Sequence, residues 1–163
     1  MDTLAAEVGA KLKSHGLMLA TAESCTGGSV AQAVTDVDGS SIWFERGFVT
    51  YSNVAKEQML GVREETLEQH GAVSERVVRE MVAGALWHSN AQIALAVSGI
   101  AGPGGGTAEK PVGTVWFAWG LRDGETHAIQ HHIDGNRSDV RNKAVLIALQ
   151  GVLELVENSS EVA

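Results

Sequence analysis

The chain has 163 residues, of which 44% are hydrophobic, so it is long enough for one well-buried domain and short for two. Its net charge of −8, without any run of Lys or Arg, argues against a nucleic-acid-binding surface. No apolar segment approaches the roughly 20 residues that span a bilayer, and the acidic start does not resemble a signal peptide. A single cysteine cannot form an internal disulfide, so we predict a cytoplasmic protein with neither nucleic-acid nor membrane partners.

The spacing of apolar residues switches between helical and strand patterns through the first half of the chain. Leu4, Val8 and Leu12 recur four residues apart, which predicts an amphipathic helix. The apolar run at 17–20 predicts a strand, and the polar stretch after it predicts a tight turn and the start of a second helix. The predicted elements are a helix at 2–14, a strand at 17–20, a helix from about 29, a strand at 42–51, and helices at 53–60, 64–70 and 74–88.

The second half of the chain is richer in strands. The continuous apolar run at 93–97 is typical of a central strand that is covered on both faces. Strands at 112–119 and 125–133 flank an Asp-Gly turn, which predicts an antiparallel hairpin, and a long helix follows from Ser138. We expect fraying from about residue 158. The order of elements predicts a single α/β domain over residues 1–163, with helices on both faces of a mixed sheet and ligand-binding loops at the strand ends.

The turn after the first strand concentrates reactive side chains. Glu23, Ser24, Cys25 and Thr26 occupy consecutive positions before a Gly-Gly pair. A strand-to-helix turn presents free backbone N–H groups and the positive end of a helix dipole, which suit a phosphate, a carboxylate or an oxyanion. The glycines let a ligand approach the backbone closely. Because Ser, Thr and Gly are also ordinary cap and turn residues, a purely structural turn is the alternative interpretation.

Two further loops follow predicted strands and carry polar groups. The strand at 42–51 ends at Tyr51 and runs into a helix that carries Lys56, and the strand at 93–97 is followed by Ser98 and a glycine-rich loop. If these strands and the first one are adjacent and parallel, the three loops meet at one edge of the sheet. Ser24, Tyr51, Lys56 and Ser98 would then share a pocket that needs neither metal nor cofactor.

Other interpretations of these residues stay open at this point. Lys56 fits a solvated helix position, and Tyr51 fits a core position with a hydrogen-bonded tip. Cys25 is a rival nucleophile, because a helix N-terminus lowers the pKa of a thiol. His127, His131 and His132 suggest a metal site, but strand alternation puts the last of them on the opposite face. The loop at 102–106 lacks the Gly-Lys-Ser/Thr ending of a P-loop, which argues against ATP.

Several long motifs, in fixed order and over nearly the whole chain, resemble the CinA C-terminal domain family. The motifs are Thr21-Ala22-Glu23-Ser24-Cys25-Thr26-Gly27-Gly28, Val49-Thr50-Tyr51-Ser52-Asn53 followed by Lys56, Gly71-Ala72-Val73-Ser74, and Ser98-Gly99-Ile100-Ala101-Gly102-Pro103 with Lys110-Pro111-Val112-Gly113-Thr114. The resemblance implies a three-layer α/β/α sandwich, a homodimer or higher homo-oligomer, and likeness to the stand-alone bacterial members. It also implies hydrolysis of nicotinamide mononucleotide (NMN) to nicotinate mononucleotide and ammonia, in pyridine nucleotide salvage.

The resemblance and the needs of amide hydrolysis together suggest roles for the motif residues. Ser24 is the expected nucleophile and Lys56 the expected base, provided that burial lowers its pKa from about 10.4 towards neutrality. Tyr51 is expected to aid proton transfer or to orient Lys56, and the backbone of residues 26–28 to bind the oxyanion. For the substrate phosphate we expect Arg141, or else Arg46. The full expected substrate-binding set is Glu23, Thr26, Gly27, Gly28, Ser98, Gly99, Ala101, Gly102, Arg141 and Arg46.

One position departs from the family pattern. The family commonly has an acidic residue where this chain has Gly104. The extra glycine predicts a more flexible loop at 104–106. For Arg141, a surface ion pair with Asp139 or Glu154 is the structural alternative. A catalytically silent pyridine-nucleotide-binding or regulatory module is the alternative function, since a shared fold and motifs do not guarantee turnover.

Overall fold

The protein is an α/β domain built around one five-stranded mixed sheet. The structure, a computed structural model, describes residues 2–162 and the side chains of residues 3–159. The strands are β1 (Leu19–Glu23), β2 (Phe44–Val49), β3 (Ile93–Gly99), β4 (Thr114–Leu121) and β5 (Thr126–His132). The helices are α1 (Asp2–Ser14), α2 (Ser29–Thr35), α3 (Asn53–Leu60), α4 (Glu64–His70), α5 (Glu75–Trp87) and α6 (Arg137–Val162).

The strand order β2-β1-β3-β4-β5 puts β3 at the centre of the sheet, as predicted. Strands β2, β1 and β3 are parallel, whereas β4 and β5 are antiparallel to their neighbours. Parallel neighbours end on the same side of a sheet, so the segments that follow β1, β2 and β3 converge at one edge. This confirms the topology that the sequence predicted for the three loops.

Helices cover both faces of the sheet, which confirms the three-layer arrangement. On one face, α1, α2 and α6 pack against the larger strand residues, including Leu19, Leu95 and Phe117. On the other face, α5 packs against alanines of β1 and β3, and its bulkier Val78 and Met81 fill the space that these small residues leave. Alternation along each strand separates the two cores. No helix among residues 2–162 is long and apolar enough to cross a membrane.

Several element boundaries differ from the sequence-based expectations, and the following ones have a physical reason or bear on the site. β1 extends to Glu23 although its last residues are polar, because Glu23 is fully buried and hydrogen-bonded inside the protein. The predicted strand at 42–51 is shorter: Ser40–Ile42 form a 3-10 turn and the strand ends at Val49. α6 starts at Arg137 and continues to Val162. Fraying from about residue 158 is a dynamic property and stays a prediction.

Candidate active site

The turn between β1 and α2 lies at the edge where the parallel strands end. The Ser24 N–H donates to the Val97 carbonyl of β3 at 3.0 Å, so the start of the turn remains attached to the sheet. Gly27 (φ 60°) and Gly28 (φ 103°) then take left-handed conformations that carry the chain into α2. A side chain at either position would be strained, which explains the glycine pair in physical terms.

Lys56 reaches the same turn from α3. The side chain of Ser52 caps this helix by accepting a hydrogen bond from the Ala55 N–H at 3.0 Å, and Lys56 is the fourth helical residue. The Lys56 side chain is buried, with 1% of the residue exposed. Its Nζ lies 3.0 Å from Ser24 Oγ. Two residues that were both predicted to be catalytic are therefore in direct contact.

The remaining partners of Lys56 are backbone oxygens. Its Nζ lies 2.9 Å from the Thr50 carbonyl and 3.2 Å from the Tyr51 carbonyl, both in the segment that leaves β2. Ser24 Oγ also donates to the Tyr51 carbonyl, at 3.4 Å. All three oxygens around the amine are neutral, and no carboxylate among the described side chains forms an ion pair with it. The site therefore binds the lysine amine without a negative charge that would stabilise its ammonium form.

Burial lowers the pKa of Lys56 from 10.5 to about 8, while the nearby Cys25 has a smaller, opposite effect. Desolvation disfavours the ammonium form, and the opposing effect of Cys25 is too small to cancel it. At pH 7 a pKa of about 8 leaves roughly a tenth of the molecules with a neutral amine. A neutral Lys56 amine can accept the proton of the Ser24 hydroxyl, which is what a serine nucleophile requires.

Cys25 is buried beneath the turn, and its thiol is not among the hydrogen-bond partners of Lys56 Nζ. Burial raises the pKa of the Cys25 thiol to about 11, and the Glu23 carboxylate acts in the same direction, whereas the charge of Arg141 acts in the opposite one. A thiol with this pKa stays protonated at neutral pH, so it is a weak nucleophile. The side chain belongs to the apolar core between the sheet and α6. These observations favour Ser24 over Cys25 as the nucleophile.

Glu23 and Thr26 face the protein interior. The buried Glu23 carboxylate accepts hydrogen bonds from the Val30 N–H at 2.9 Å, from the Ala31 N–H at 3.1 Å and from the Thr26 hydroxyl at 2.5 Å. It thus caps the N-terminus of α2 from inside the chain. Within the described residues, the backbone N–H groups of Thr26 and Gly28 have no acceptor. These two N–H groups, rather than the carboxylate or the helix end, are free for a ligand.

The two arginines that the sequence proposed for phosphate lie in different places. Arg141 of α6 reaches the turn: its Nε donates to the Cys25 carbonyl at 3.0 Å and its Nη2 to the Thr26 carbonyl at 3.3 Å. Arg46 pairs with Glu45 at 2.7 Å and also donates to the His88 carbonyl. Its register partner is Ala20, three residues before the end of β1, so Arg46 does not join the site.

Arg137, which was not among the predicted site residues, lies at the rim of the site. Its Nη1 donates to the Gly102 carbonyl at 2.9 Å and its Nη2 to the Tyr51 hydroxyl at 3.4 Å. The Tyr51 phenol is on the surface, with 64% of the residue exposed, so its carbonyl rather than its ring contacts Lys56. The available signal was the position of Arg137, one helical turn before Arg141 and therefore on the same side of α6.

The loop after β3 forms another side of this edge. The Ser98 hydroxyl donates to the Ala72 carbonyl at 2.9 Å and is not among the hydrogen-bond partners of Lys56 Nζ. Gly99 packs against Val115 with no room for a side chain, and Ala101 is buried. Gly102 has a φ of 85° and offers its carbonyl to Arg137. Gly104 is exposed, and nothing would contact a side chain there.

The histidines of β5 lie elsewhere. His131 packs its ring edge-on against Phe117, with ring centroids 5.5 Å apart, and His132 lies 3.6 Å from Asp134. In the described part of the chain, no three His, Cys, Asp or Glu side chains cluster closely enough to hold a metal ion. His127 and His131 instead line an apolar groove of about 880 Å³ between β5 and α6.

The fold and the site together define a single α/β domain with a buried Ser-Lys pair at the edge where its parallel strands end. The chain belongs to the CinA C-terminal domain family, whose model matches residues 1–156. This confirms the resemblance that the sequence motifs indicated.

Relatives and solved structures agree with this membership. The chain is 54% identical to the nicotinamide-nucleotide amidohydrolase PncC of Enterobacter agglomerans, covering 97% of both chains. It is 59% identical to the protein of the same name from Escherichia coli K12, over 90% of this chain and 89% of the relative. Among solved structures, the competence/damage inducible protein CihA of Agrobacterium tumefaciens superposes with a TM-score of 0.92 at 47% identity, over 94% of each chain.

Proposed function

We propose that the protein is a nicotinamide-nucleotide amidohydrolase that hydrolyses the carboxamide of NMN to nicotinate mononucleotide and ammonia. The observation that carries the proposal is the 3.0 Å contact between Lys56 Nζ and Ser24 Oγ, in surroundings that lower the pKa of the lysine. The names of two relatives that match nearly the full chain at 54% and 59% identity supply the substrate class. Such a reaction belongs to pyridine nucleotide salvage.

The first half of the reaction acylates Ser24. Neutral Lys56 removes the hydroxyl proton as Oγ attacks the carboxamide carbon, and the carbonyl oxygen becomes an oxyanion. The N–H groups of Thr26 and Gly28, which have no acceptor within the described residues, and the neighbouring N–H of Cys25 are donors that can stabilise it. Lys56, now an ammonium, returns the proton to the nitrogen as the C–N bond breaks. Ammonia leaves, and the nicotinoyl group is held as an ester on Ser24.

The second half releases the acid. Lys56 is again neutral and takes a proton from a water molecule, which attacks the ester carbon. The tetrahedral oxyanion uses the same donors, and Ser24 leaves with the proton that Lys56 returns. The product is the carboxylate of nicotinate mononucleotide. One lysine thus serves as base and acid in both halves, which requires a pKa near the working pH rather than near 10.5.

For the substrate phosphate we assign Arg137 in place of Arg141. Arg137 is exposed at the rim, and its two contacts are a single carbonyl and the Tyr51 hydroxyl, which are weak competitors for a phosphate. Arg141 is already engaged with two carbonyls of the nucleophile turn. Tyr51 at the rim is then positioned to contact the nucleotide rather than to transfer the proton.

Ammonia release from NMN tests the proposal, with nicotinate mononucleotide identified by chromatography. We expect turnover by the unmodified protein and a loss of roughly 10³-fold or more in Ser24→Ala and in Lys56→Met. Cys25→Ala should keep most of the activity, since no hydrogen bond joins its thiol to Ser24 Oγ or Lys56 Nζ. Lys13→Met, at an exposed position of α1, is the matched control for Lys56→Met. Wild-type turnover in Ser24→Ala would show that the nucleophile is misassigned.

Calorimetry separates this proposal from its alternative. Binding of NMN by the unmodified protein, together with no ammonia above the blank, would identify a catalytically silent pyridine-nucleotide-binding module. The intact Ser24-Lys56 contact favours the enzyme, because a binding module has no need of a buried lysine next to a serine hydroxyl.

A further inference from the structure

We propose that Arg141 is a positioning residue for the oxyanion donor: it holds the Cys25-Thr26 peptide so that the Thr26 N–H is directed at the reacting carbonyl. The inference rests on the proposed function and deepens it. It gives Arg141 a task in the chemical step instead of a task in binding phosphate.

The planarity of the peptide links the Cys25 carbonyl to the Thr26 N–H. The only cis peptide among residues 2–162 is Gly102-Pro103, so the Cys25-Thr26 peptide is trans. In a trans peptide the C=O and the N–H point in opposite directions. Arg141 Nε fixes the Cys25 carbonyl at 3.0 Å, and this also fixes the direction of the Thr26 N–H on the far side of the same plane. That N–H has no acceptor in the described chain.

Arg141 also forms a second hydrogen bond to the turn. We call the two hydrogen bonds from its guanidinium to the Cys25 and Thr26 carbonyls the Arg141 clamp, and the second one makes it rigid. Arg141 Nη2 donates to the Thr26 carbonyl at 3.3 Å, and the N–H of that next peptide, on Gly27, donates back to the Ser24 carbonyl at 3.0 Å. A side chain at position 27 would come within 3.2 Å of Nη2, so the glycine leaves room for the guanidinium. Two consecutive peptides are held by one planar fork, which a lysine cannot reproduce.

The charge of Arg141 adds to its geometric role. The positively charged guanidinium next to the Cys25 carbonyl polarises this peptide, so the Thr26 N–H becomes a stronger hydrogen-bond donor. The arginine is half-buried and extends from a part of α6 whose Val140 and Val145 are fully buried, so the clamp stands on a fixed helix. Preorganised donors of this kind typically contribute about 10²–10³-fold to kcat.

The next peptide in the turn provides an internal contrast. Within the described residues, neither the Gly27 carbonyl nor the Gly28 N–H has a partner, and both glycines have positive φ. Nothing clamps that peptide, so it is free to adjust to the ligand. The Thr26 N–H is therefore a donor whose direction Arg141 fixes, whereas the Gly28 N–H is free to adjust.

Kinetics on Arg141→Lys and Arg141→Gln separate positioning from phosphate binding. Positioning predicts that kcat for NMN falls about 10²-fold while KM changes by less than a few fold, and that added guanidinium ion partly restores the kcat of Arg141→Gln. A phosphate-binding role predicts a rise in KM with kcat largely kept, and that result would overturn the inference. Arg137→Gln is the matched control and should show the KM-dominated pattern.

The amide NMR spectrum of the ligand-free protein tests the inference without relying on NMN turnover. We expect the Thr26 amide resonance to shift or broaden in Arg141→Lys, while resonances of β4 and β5 stay in place and show that the variant is folded. An unchanged Thr26 resonance would overturn the inference even if NMN is hydrolysed. If instead the unmodified protein releases no ammonia but the Thr26 resonance responds, the proposed function fails and the clamp stands.

Discussion

Three neutral oxygens satisfy the hydrogen bonds of the buried Lys56 amine and still allow its pKa to be lowered, which an ion pair would prevent. A carboxylate beside a buried lysine would stabilise the ammonium and keep its pKa high. Here the Ser24 hydroxyl and the Thr50 and Tyr51 carbonyls satisfy the hydrogen bonds of the amine but bring no negative charge. The lysine is therefore buried without orphan donors, and its pKa is still lowered to about 8.

At the residue scale this predicts the pH dependence of the reaction. Because neutral Lys56 is the base, kcat/KM should rise with pH, with a midpoint at about 8, and level off above it. Below the midpoint the slope of log kcat/KM should be one per pH unit. Steady-state rates of ammonia release between pH 6 and 10 measure the profile. A profile that is flat across this range would contradict the assignment of Lys56 as the base.

The motifs indicated which residues to group at the site, and the roles of those residues stay predictions; contacts that only the fold decides could not be predicted. Ser24 and Lys56 stand 32 positions apart, and the motif resemblance pairs them although no local pattern does. Sequence reasoning could not show that the Tyr51 carbonyl, rather than its phenol, meets Lys56. It also missed Arg137, because the contact with Gly102 depends on how α6 packs against the loop after β3.

At the element scale, the joint between β1 and α2 depends on one buried carboxylate. Glu23 belongs to β1 yet satisfies two N–H groups of the first turn of α2, so it fixes the helix to the strand across the nucleophile turn. A carboxylate at a helix N-terminus also interacts favourably with the helix dipole. The polar residues after the apolar run at 17–20 predicted a turn. β1 is longer than that because the Glu23 carboxylate is hydrogen-bonded in the protein interior.

Glu23→Gln tests the joint. The NH₂ group of the glutamine is a donor, and it would face the N–H and hydroxyl donors that now bind the carboxylate. At least one buried polar group would then lack a partner, so we expect a loss of about 1–3 kcal/mol in the free energy of unfolding. Denaturant titration measures it. Glu64→Gln, at an exposed position in the first turn of α4, is the control and should change stability by no more than about 0.5 kcal/mol. Equal stabilities of the two variants would contradict this account.

β2, in contrast to β1, ends earlier than its sequence predicted. The aromatic and β-branched residues up to Tyr51 predicted a longer strand, but the strand ends at Val49, after which the Thr50 N–H makes one more bond to β1, to the Glu23 carbonyl at 2.8 Å. The freed carbonyls of Thr50 and Tyr51 then serve as acceptors for Lys56. Local propensity cannot anticipate this, since the competing partner is a side chain on the following helix.

At the scale of the whole molecule, the topology brings the site together. Three parallel strands end at one edge, so residues from three distant segments meet there, as the order of elements predicted. Fold class and family were predictable because patterning and motifs agree over nearly the entire chain. The homo-oligomer and the cytoplasmic location stay predictions, since both depend on properties that one chain does not display.

Burial of Lys56 also couples the site to global stability. The folded protein releases the Lys56 proton near pH 8, whereas the unfolded chain holds it until about 10.5. Between these values the unfolded state binds more protons, so the contribution of Lys56 to stability rises with pH across this window. The full difference amounts to roughly 3 kcal/mol, which is unfavourable below pH 8 and relieved above 10.5.

The most direct measurement of the central claim is an NMR titration of the protein labelled with ¹³C at the lysine Cε, in the folded state and in urea. The Lys56 resonance is identified by its absence from Lys56→Met. We predict that it titrates with a midpoint at about 8 in the folded protein and near 10.5 after unfolding. A folded-state midpoint near 10.5 would mean that Lys56 is a permanent cation at neutral pH, and Ser24 would then have no base.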